Sequence, residues 1–234
     1  MSISQTTAVY SGIIPGKMND DRILKKDLFG EVVLRPDIDG PVIVRDASAA
    51  RWWLRWLARS LLRREAESLA ALDGVEGVPR LLRHDRDTLV RTYLAGRPLQ
   101  DAKTTDAVWF NAAARLLRRL HGAGVCHNDL AKEPNLIVLD DGRPAFIDFQ
   151  LGWRSHHRGR LFRAAAREDI RHLLKHKRTY CPGRLTQRER DILASPSPLS
   201  RAWAGTVKPV YLFVTRRILG WADREGATDR GARR

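Results

Sequence analysis

The first half of the chain alternates short apolar runs with polar turns, and this pattern predicts β-strands. The runs EVVLRP and PVIVRD are separated by DIDG, which predicts a hairpin. The runs RLLRHD and TLVRTYL predict a second pair of strands further along. Residues 1–20 are polar and small with interspersed Gly and Pro, so they are predicted to be an irregular lead-in.

A long helical pattern lies between these strand pairs. Ser48 is the predicted N-cap of this helix, and GVEGVP is predicted to end it. Trp53, Leu57 and Leu61 recur at helical spacing and predict its apolar stripe. A first basic stripe runs beside the apolar one and consists of Arg51, Arg55, Arg59 and Arg63.

The second half of the chain is mainly helical in pattern. The segment AGRPL breaks the preceding strand pattern and is predicted to link two lobes. A helix is predicted from Thr104 to the glycines at 122 and 124. Its predicted apolar face consists of Val108, Ala112, Leu116 and Leu120. The runs NLIVL and AFIDF, joined by DDGRP, then predict a hairpin.

Two further helices are predicted from RGRLFRAAAREDIRHLLKHKRTY and TQRERDILAS. A second basic stripe on the first of them consists of Arg163, Arg167, Arg171 and Lys175. A last amphipathic segment begins at Lys208 and precedes a basic tail. The predicted class is therefore α+β, with strands around one helix followed by helices around one hairpin.

Four segments are predicted from this organisation. They are an irregular lead-in at 1–20, a first lobe at 21–95, a second lobe at 96–222 and a flexible basic tail at 223–234. A chain of 234 residues is long enough for one good core or for two small lobes that share a cleft.

Net charge and cysteine content indicate which kinds of partner and which cellular compartment to expect. The formal net charge of +15 predicts attraction to anions such as nucleotide phosphates, acidic lipid or RNA. Two cysteines are too few for a disulfide framework and predict reduced thiols in a cytoplasmic protein. The N-terminal sequence does not resemble a signal peptide, and no apolar run reaches the ~20 residues of a membrane span. Peripheral contact with the inner membrane is left open.

The predicted hairpin brings polar side chains together. Asn135 begins its first strand and Asp148 ends its second, so the two side chains are expected to lie close together. An amide oxygen and a carboxylate are hard ligands that suit Mg²⁺. Asp129 lies on the preceding loop, where a carboxylate could orient an attacking hydroxyl. The alternative is that these residues only cap turns and end a strand.

The stretch HNDLAKEPN followed by IDF resembles the catalytic loop and the metal-binding segment of the protein-kinase-like superfamily. The resemblance is greatest to small atypical bacterial members, the RIO-like serine/threonine kinases and the lipopolysaccharide (Kdo/heptose) kinases. It implies a two-lobed fold with a small antiparallel-sheet N-lobe, one long helix and a reduced, mainly helical C-lobe. It also implies ATP and Mg²⁺, with Asp129 as catalytic aspartate and Asn135 and Asp148 as metal ligands. Lys132 is implied as a catalytic partner of the transferred phosphate.

The upstream part of the resemblance concerns ATP binding. Glu65 stands where the family carries a helix glutamate that pairs with the ATP-binding lysine, but Arg45 stands in the place of that lysine. Arginine keeps the charge and can grip phosphate bidentately. Lys25 or Lys26 could reach the phosphates instead, and Gly30 is the one glycine of a loop that is glycine-rich in the family. The alternative for Arg45 and Glu65 is an exposed surface ion pair.

Two departures concern the catalytic loop and the length of chain after it. Asn135 follows Asp129 by six positions, whereas the family pattern places it five positions later. The loop is therefore expected to bulge by one residue, with Pro134 stiffening it. Only 86 residues follow Asp148, which favours a minimal kinase with a short activation segment.

The leading hypothesis is an ATP- and Mg-dependent phosphotransferase of the RIO-like serine/threonine protein kinase type. The alternatives are a lipopolysaccharide core sugar kinase, a pseudokinase or anion-binding module without turnover, and an RNA-binding protein. The basic helices could bind an anionic membrane surface or RNA, or they could present solvated faces. No motif supports sequence-specific DNA binding.

Overall fold

The computed structural model describes residues 21–195. The predicted lead-in, the amphipathic segment from Lys208 and the basic tail lie outside the described residues. The described part has an antiparallel sheet with one long helix, followed by a mainly helical lobe. Within it, no helix combines the length and the apolar character needed to cross a bilayer.

Five antiparallel strands form the sheet of the first lobe, in the order β1-β2-β3-β5-β4. They are β1 (Arg22–Asp27), β2 (Gly30–Arg35), β3 (Val42–Asp46), β4 (Leu81–His84) and β5 (Thr88–Thr92). β2 pairs with β3, and β4 pairs with β5, which confirms both predicted strand pairs. β3 lies at the centre of the sheet, and its first four residues are buried.

The long helix, α1 (Arg55–Ala71), packs on this sheet but begins later than predicted. Ser48 is not its N-cap, because the Ser48 N–H donates to Asp46 Oδ1 at 2.7 Å and this bond holds the backbone in a turn. Leu54 occupies the N-cap position without a side-chain bond. Residues 47–54 therefore form turns that connect β3 to α1.

The predicted apolar stripe of α1 is also wrong by one position. Trp53 is 39% exposed, and Leu57 and Leu61 are only partly buried. The buried residues of the helix are instead Ala58, Leu62, Glu65, Ala66, Ser68 and Leu69. Two alanines of this stripe lie in the small core with Leu89, because small side chains let the helix approach the sheet closely.

The second lobe contains a three-stranded sheet, a two-stranded ribbon and four helices among the described residues. Its strands are β6 (Gly96–Pro98), β7 (Val125–Cys126), β8 (Leu136–Leu139), β9 (Pro144–Phe146) and β10 (Trp153–Arg154). Its helices are α2 (Leu99–Ala102), α3 (Ala107–Gly122), α4 (Arg160–Tyr180) and α5 (Gln187–Ala194). The predicted linker AGRPL is more ordered than expected, since β6 pairs with β8.

The main core lies in the second lobe, where α3 packs against the hairpin of β8 and β9. Asp106 caps α3 by accepting from Val108 N at 2.8 Å. Val108 itself is exposed, contrary to the predicted face. The residues that α3 contributes to this core are Trp109, Phe110, Ala113, Leu116, Leu117 and Leu120. Leu116 and Leu120 are buried as predicted, and the large side chains of Trp109 and Phe110 take the place of Val108 in the core.

The second basic stripe is interrupted on α4. Arg163 and Arg167 are exposed, but Arg171 is buried and its guanidinium donates to the carbonyl oxygen of Ser195. The stripe therefore does not form a continuous solvated row of cations. Cys126 and Cys181 are both buried and free.

Candidate active site

The hairpin of the second lobe carries the two predicted metal ligands side by side. Leu136 lies opposite Phe146, and Ile147 N donates to Asn135 O at 3.0 Å, which extends the ladder by one pair. Asp148 follows directly and has φ 66° and ψ 71°. A left-handed conformation at a residue other than glycine costs of order 1–3 kcal/mol and tends to occur at functional sites.

Asp129, Lys132 and Asn135 form one contact group on the catalytic loop. Asn135 Nδ2 donates to Asp129 O at 2.9 Å and to Asp129 Oδ2 at 3.0 Å. Lys132 Nζ lies 3.0 Å from the same Asp129 Oδ2. The structure therefore brings together three of the four residues that the sequence pattern placed on and beside this loop.

Arg45 joins the first lobe to the second. Its Nη1 lies 3.2 Å from Glu65 Oε2, and its Nη2 donates to Asp148 Oδ1 at 3.2 Å. Arg45 and Glu65 are both buried, so the alternative of an exposed surface ion pair is wrong. The predicted partner of Arg45 is confirmed as a contact, and Asp148 is a second partner that the sequence pattern did not indicate.

The charges around Asp148 keep it ionised. Burial alone would raise the pKa of Asp148, but the nearby cations Arg45 and Arg91 outweigh this effect and hold the pKa below its ordinary value of 3.8. Burial likewise opposes the charge of Arg45, but Glu65 and Asp148 raise the pKa of its guanidinium overall. The site therefore holds a carboxylate and a guanidinium that are both charged.

Arg91 on β5 is a member of this cluster that sequence reasoning missed. Its Nε lies 3.1 Å from Glu65 Oε1, so Arg45 and Arg91 share one buried carboxylate. Burial lowers the pKa of Arg91 despite the attraction of Glu65. The signal that could have found it was its position two residues after the buried Leu89, because alternate residues of a strand share a face.

Two predicted phosphate-binding residues lie outside these contact groups. Lys25 is 58% exposed on β1, and its Nζ lies 3.1 Å from Asp27 Oδ2. Gly30 has φ 129°, and a Cβ there would lie 2.1 Å from the carbonyl oxygen of Asp46. The glycine is therefore required by close backbone packing at the start of β2, whatever its relation to a ligand.

The backbone before Asp129 is fixed from two sides. His127 Nε2 lies 2.9 Å from the Ile147 carbonyl oxygen, and Asp129 N donates to His127 Nδ1 at 3.3 Å. Because Nδ1 accepts from Asp129 N, the Nε2 nitrogen is the one that donates to Ile147, and His127 ties the catalytic loop to the end of β9. Asp169 on α4 accepts from His127 N and from Asn128 N, each at 2.8 Å. Asp169 was missed because it lies 42 positions from His127 in the chain.

The extra residue of the catalytic loop is accommodated by a short 3-10 turn at Glu133–Asn135, with Pro134 inside it. Glu133 is held from α4, since Tyr180 Oη donates to Glu133 Oε2 at 2.6 Å. His176 Nε2 contacts the carbonyl oxygen of Leu130 at 2.8 Å, and its other ring nitrogen lies 3.6 Å from Glu133 Oε1. The predicted bulge is thus a turn that the end of α4 supports.

The donor set fits a divalent cation. Asp129 engages the amide nitrogen of Asn135, which leaves the amide oxygen as the atom able to bind a metal. Asp148 supplies an ionised carboxylate on the neighbouring strand end. One amide oxygen and one carboxylate are ligands of the kind that Mg²⁺ uses when it also binds substrate phosphates.

Comparison with known proteins places this site in context. The model of the phosphotransferase enzyme family (APH) matches residues 31–153, just over half of the chain. Among curated proteins, none matches the chain. The Rio2 kinase from Chaetomium thermophilum has a similar structure, with a TM-score of 0.54 and 16% sequence identity. The match covers 79% of this chain and 66% of the Rio2 chain. This likeness confirms the two-lobed protein-kinase-like fold.

Proposed function

The chain belongs to the phosphotransferase enzyme family, and we propose on that premise that it moves the γ-phosphoryl group of ATP to a hydroxyl acceptor. The observation that carries the proposal is the contact group of Asp129, Lys132 and Asn135 beside the Arg45–Asp148 contact. A carboxylate that orients a nucleophile and a cluster of charges for phosphate are what phosphoryl transfer requires.

In the proposed reaction the acceptor oxygen forms a bond to the γ-phosphorus, and the bond to the bridging oxygen of ADP breaks. Asp129 orients the hydroxyl and receives its proton at a carboxylate oxygen. Lys132 forms an ion pair with Asp129 Oδ2 and contributes positive charge next to the transferred phosphoryl group. Asn135 holds Asp129 in place through two hydrogen bonds.

Arg45 is the proposed phosphate-binding cation of the first lobe. Glu65 contacts its Nη1 and Asp148 contacts its Nη2, and phosphate oxygens would take the N–H donors that these carboxylates leave. Asn135 and Asp148 would hold Mg²⁺, which neutralises phosphate charge when it is bound. No observed contact supports a phosphate-binding role for Lys25, because its ammonium group forms an ion pair with Asp27.

We propose a serine or threonine side chain as acceptor, of the RIO-like type, with support from the structural likeness to Rio2 kinase. A sugar hydroxyl of the lipopolysaccharide core is a second candidate. It is favoured by the short segment 149–159 between Asp148 and α4, which leaves little chain to dock a peptide. Labelled ATP, offered with the protein alone or with lipopolysaccharide, would separate these acceptors.

Asp129→Asn and Asp148→Asn test the proposed chemistry. Each is expected to lower phosphate transfer by about 10²–10⁴-fold, because Asn neither accepts the proton nor carries the charge. Asp140→Asn, at the exposed far end of the same hairpin, is the matched control and should leave transfer unchanged. Full turnover in either site variant would refute the mechanism.

A thermal shift with Mg-ATP separates an enzyme from a pseudokinase. Stabilisation of the wild type by Mg-ATP without any turnover would favour the pseudokinase, and with it a loss of function through Arg45. Turnover by the wild type that depends on Arg45 would favour the enzyme.

Localisation in the cytoplasm is proposed from the use of ATP as phosphoryl donor, since ATP is plentiful there.

A further inference from the structure

Three tryptophans, two in the turn before α1 and one in its first turn, lie exposed on the surface of the first lobe. Trp52 is 82% exposed, Trp56 is 68% exposed, and Trp53 is 39% exposed. Their exposure follows from the late start of the helix, which turns the Ala58 and Leu62 face to the sheet instead. Tryptophan is highly buried on average, so three exposed rings within five residues form an unusual apolar surface.

Basic side chains border this cluster. An open pocket of about 590 Å³ lies beside Trp56, between α1 and the turn that joins β4 to β5. It is lined by Trp56, Arg59, Ser60, Arg63, His84, Asp85 and Arg86. The acidic groups here are engaged locally, since Asp85 Oδ2 lies 2.6 Å from Arg83 and Asp87 accepts from Arg59 Nε at 2.6 Å. Arg63 and Arg86 remain exposed at its rim.

We propose that this surface, defined by Trp52, Trp53, Trp56, Arg63 and Arg86, docks on an anionic lipid bilayer. Tryptophan rings prefer the headgroup region, where their apolar body leaves water and the indole N–H keeps a polar partner. Arginines beside them bind lipid phosphates and are attracted by the negative surface potential. Of the two helices that carry the predicted basic stripes, only α1 has exposed aromatic residues within it or in the turn directly before it, among the described residues.

Other occupants fit the surface less well. Residues 196–234 contain eight Lys or Arg and three Asp or Glu, so they carry a net charge of +5 and would meet like charge there. A second copy of the chain, at +15, would be repelled in the same way. Within residues 21–195 no aromatic pair joins two of these rings, so contact between them does not fix their relative orientation. A fluid headgroup layer accepts rings in any orientation.

Co-sedimentation of the full chain with vesicles tests the proposal without any need for turnover. The wild type should bind vesicles of equal parts phosphatidylcholine and phosphatidylglycerol, and bind pure phosphatidylcholine vesicles much more weakly. Trp52→Ala/Trp56→Ala should lower the partition coefficient at least about tenfold. Arg63→Gln/Arg86→Gln should lower it several-fold and reduce its dependence on salt.

Matched controls come from α4. Leu161→Ala removes an equally exposed apolar side chain, and Arg163→Gln/Arg167→Gln removes two exposed cations, and neither change should alter binding. Brominated lipid should quench wild-type tryptophan fluorescence, and the double tryptophan variant should lose that quenching. The proposal is overturned if the wild type fails to bind anionic vesicles. It is also overturned if the double tryptophan variant and the double arginine variant both bind them as tightly as the wild type. A loss of affinity for single-stranded RNA in these variants while vesicle binding is unchanged overturns it as well.

Discussion

Arg45 and Arg91 share the carboxylate of Glu65 inside the first lobe, each at one of its two oxygens. Two buried cations on one anion would be unfavourable alone, but Asp148 supplies the second negative charge through Arg45. Arg91 thus occupies one oxygen of Glu65, and Arg45 contacts the other while also reaching across to Asp148. The contacts make Arg91 a positioning residue for Arg45.

Arg91→Met should destabilise the protein by about 3–5 kcal/mol, because it leaves one oxygen of the buried Glu65 without its cation. Urea unfolding measures this change, and the Glu65→Gln/Arg91→Met double variant should lose clearly less than the sum of the two single variants. Arg91→Lys should recover part of the stability. Arg83→Met, on the exposed face of β4, is the control and should change stability by less than about 0.5 kcal/mol. Strict additivity of the two single changes would contradict the shared-carboxylate arrangement.

The residues that sequence reasoning identified are those set by short spacing. Asp129, Asn135 and Asp148 lie within one loop and hairpin, so the order of turns and strands was enough to bring them together. Arg91 and Asp169 act on Glu65 and His127 from other elements, and only the packed fold reveals these contacts. The resemblance to kinases predicted the Arg45–Glu65 pair. It did not predict that Asp148 and Arg91 contact this pair.

At the scale of elements, the positions of helix starts decided which predictions failed. The strand pairs and the hairpin were predicted correctly because turns and β-branched runs mark them locally. The stripe of α1 was displaced, whereas that of α3 was correct at Leu116 and Leu120 and wrong at Val108, because apolar residues occupy more than one face of each helix. Small alanines against the sheet and large aromatics against the core then selected the buried face, and no periodicity in the sequence specifies that choice.

The end of α4 supports the catalytic loop through the contact of Tyr180 with Glu133. This contact holds the short turn that accommodates the extra residue of the loop. Tyr180→Phe removes the hydrogen bond to Glu133 Oε2 and should lower kcat several-fold, because Lys132 and Asp129 lose support for their mutual placement. The KM for ATP should stay unchanged, since Arg45 lies in the other contact group. Stability should fall by only about 0.5–1.5 kcal/mol.

Thr179→Ala is the matched control for this helix end. It removes a neighbouring hydroxyl that bonds the carbonyl oxygen of Lys175 on the exposed side, so kcat should not change. Equal losses of kcat in the two variants would show that the helix end, and not the Glu133 contact, matters. An increase in the KM for ATP in Tyr180→Phe would show that the two contact groups are not separate.

At the scale of the whole molecule, the described parts of the two lobes meet through α1 and through two ion pairs, Arg45–Asp148 and Arg143–Glu76. α1 packs against the short turn at Phe149–Leu151, where a Cβ on Gly152 would lie 2.6 Å from Ser68 Oγ. Arg45 of β3 reaches Asp148 beyond β9, so the same carboxylate that is the proposed metal ligand also bridges the lobes. The geometry of the cleft and the protonation state of Asp148 are therefore coupled.

Acid should weaken this bridge. The pKa of Asp148 in the folded protein lies below 3.8, because Arg45 and Arg91 outweigh the effect of burial. A carboxylate with a lowered pKa stabilises the fold fully above its unfolded pKa and loses that contribution as pH falls through its folded pKa. The free energy of unfolding of the wild type should therefore exceed that of Asp148→Asn near neutral pH, and the difference should shrink below about pH 4. Other carboxylates titrate in both proteins and cancel in the difference, which urea unfolding measures at each pH. A difference that stays constant from neutral to acid pH would show that the ionised form of Asp148 contributes nothing to holding the lobes together.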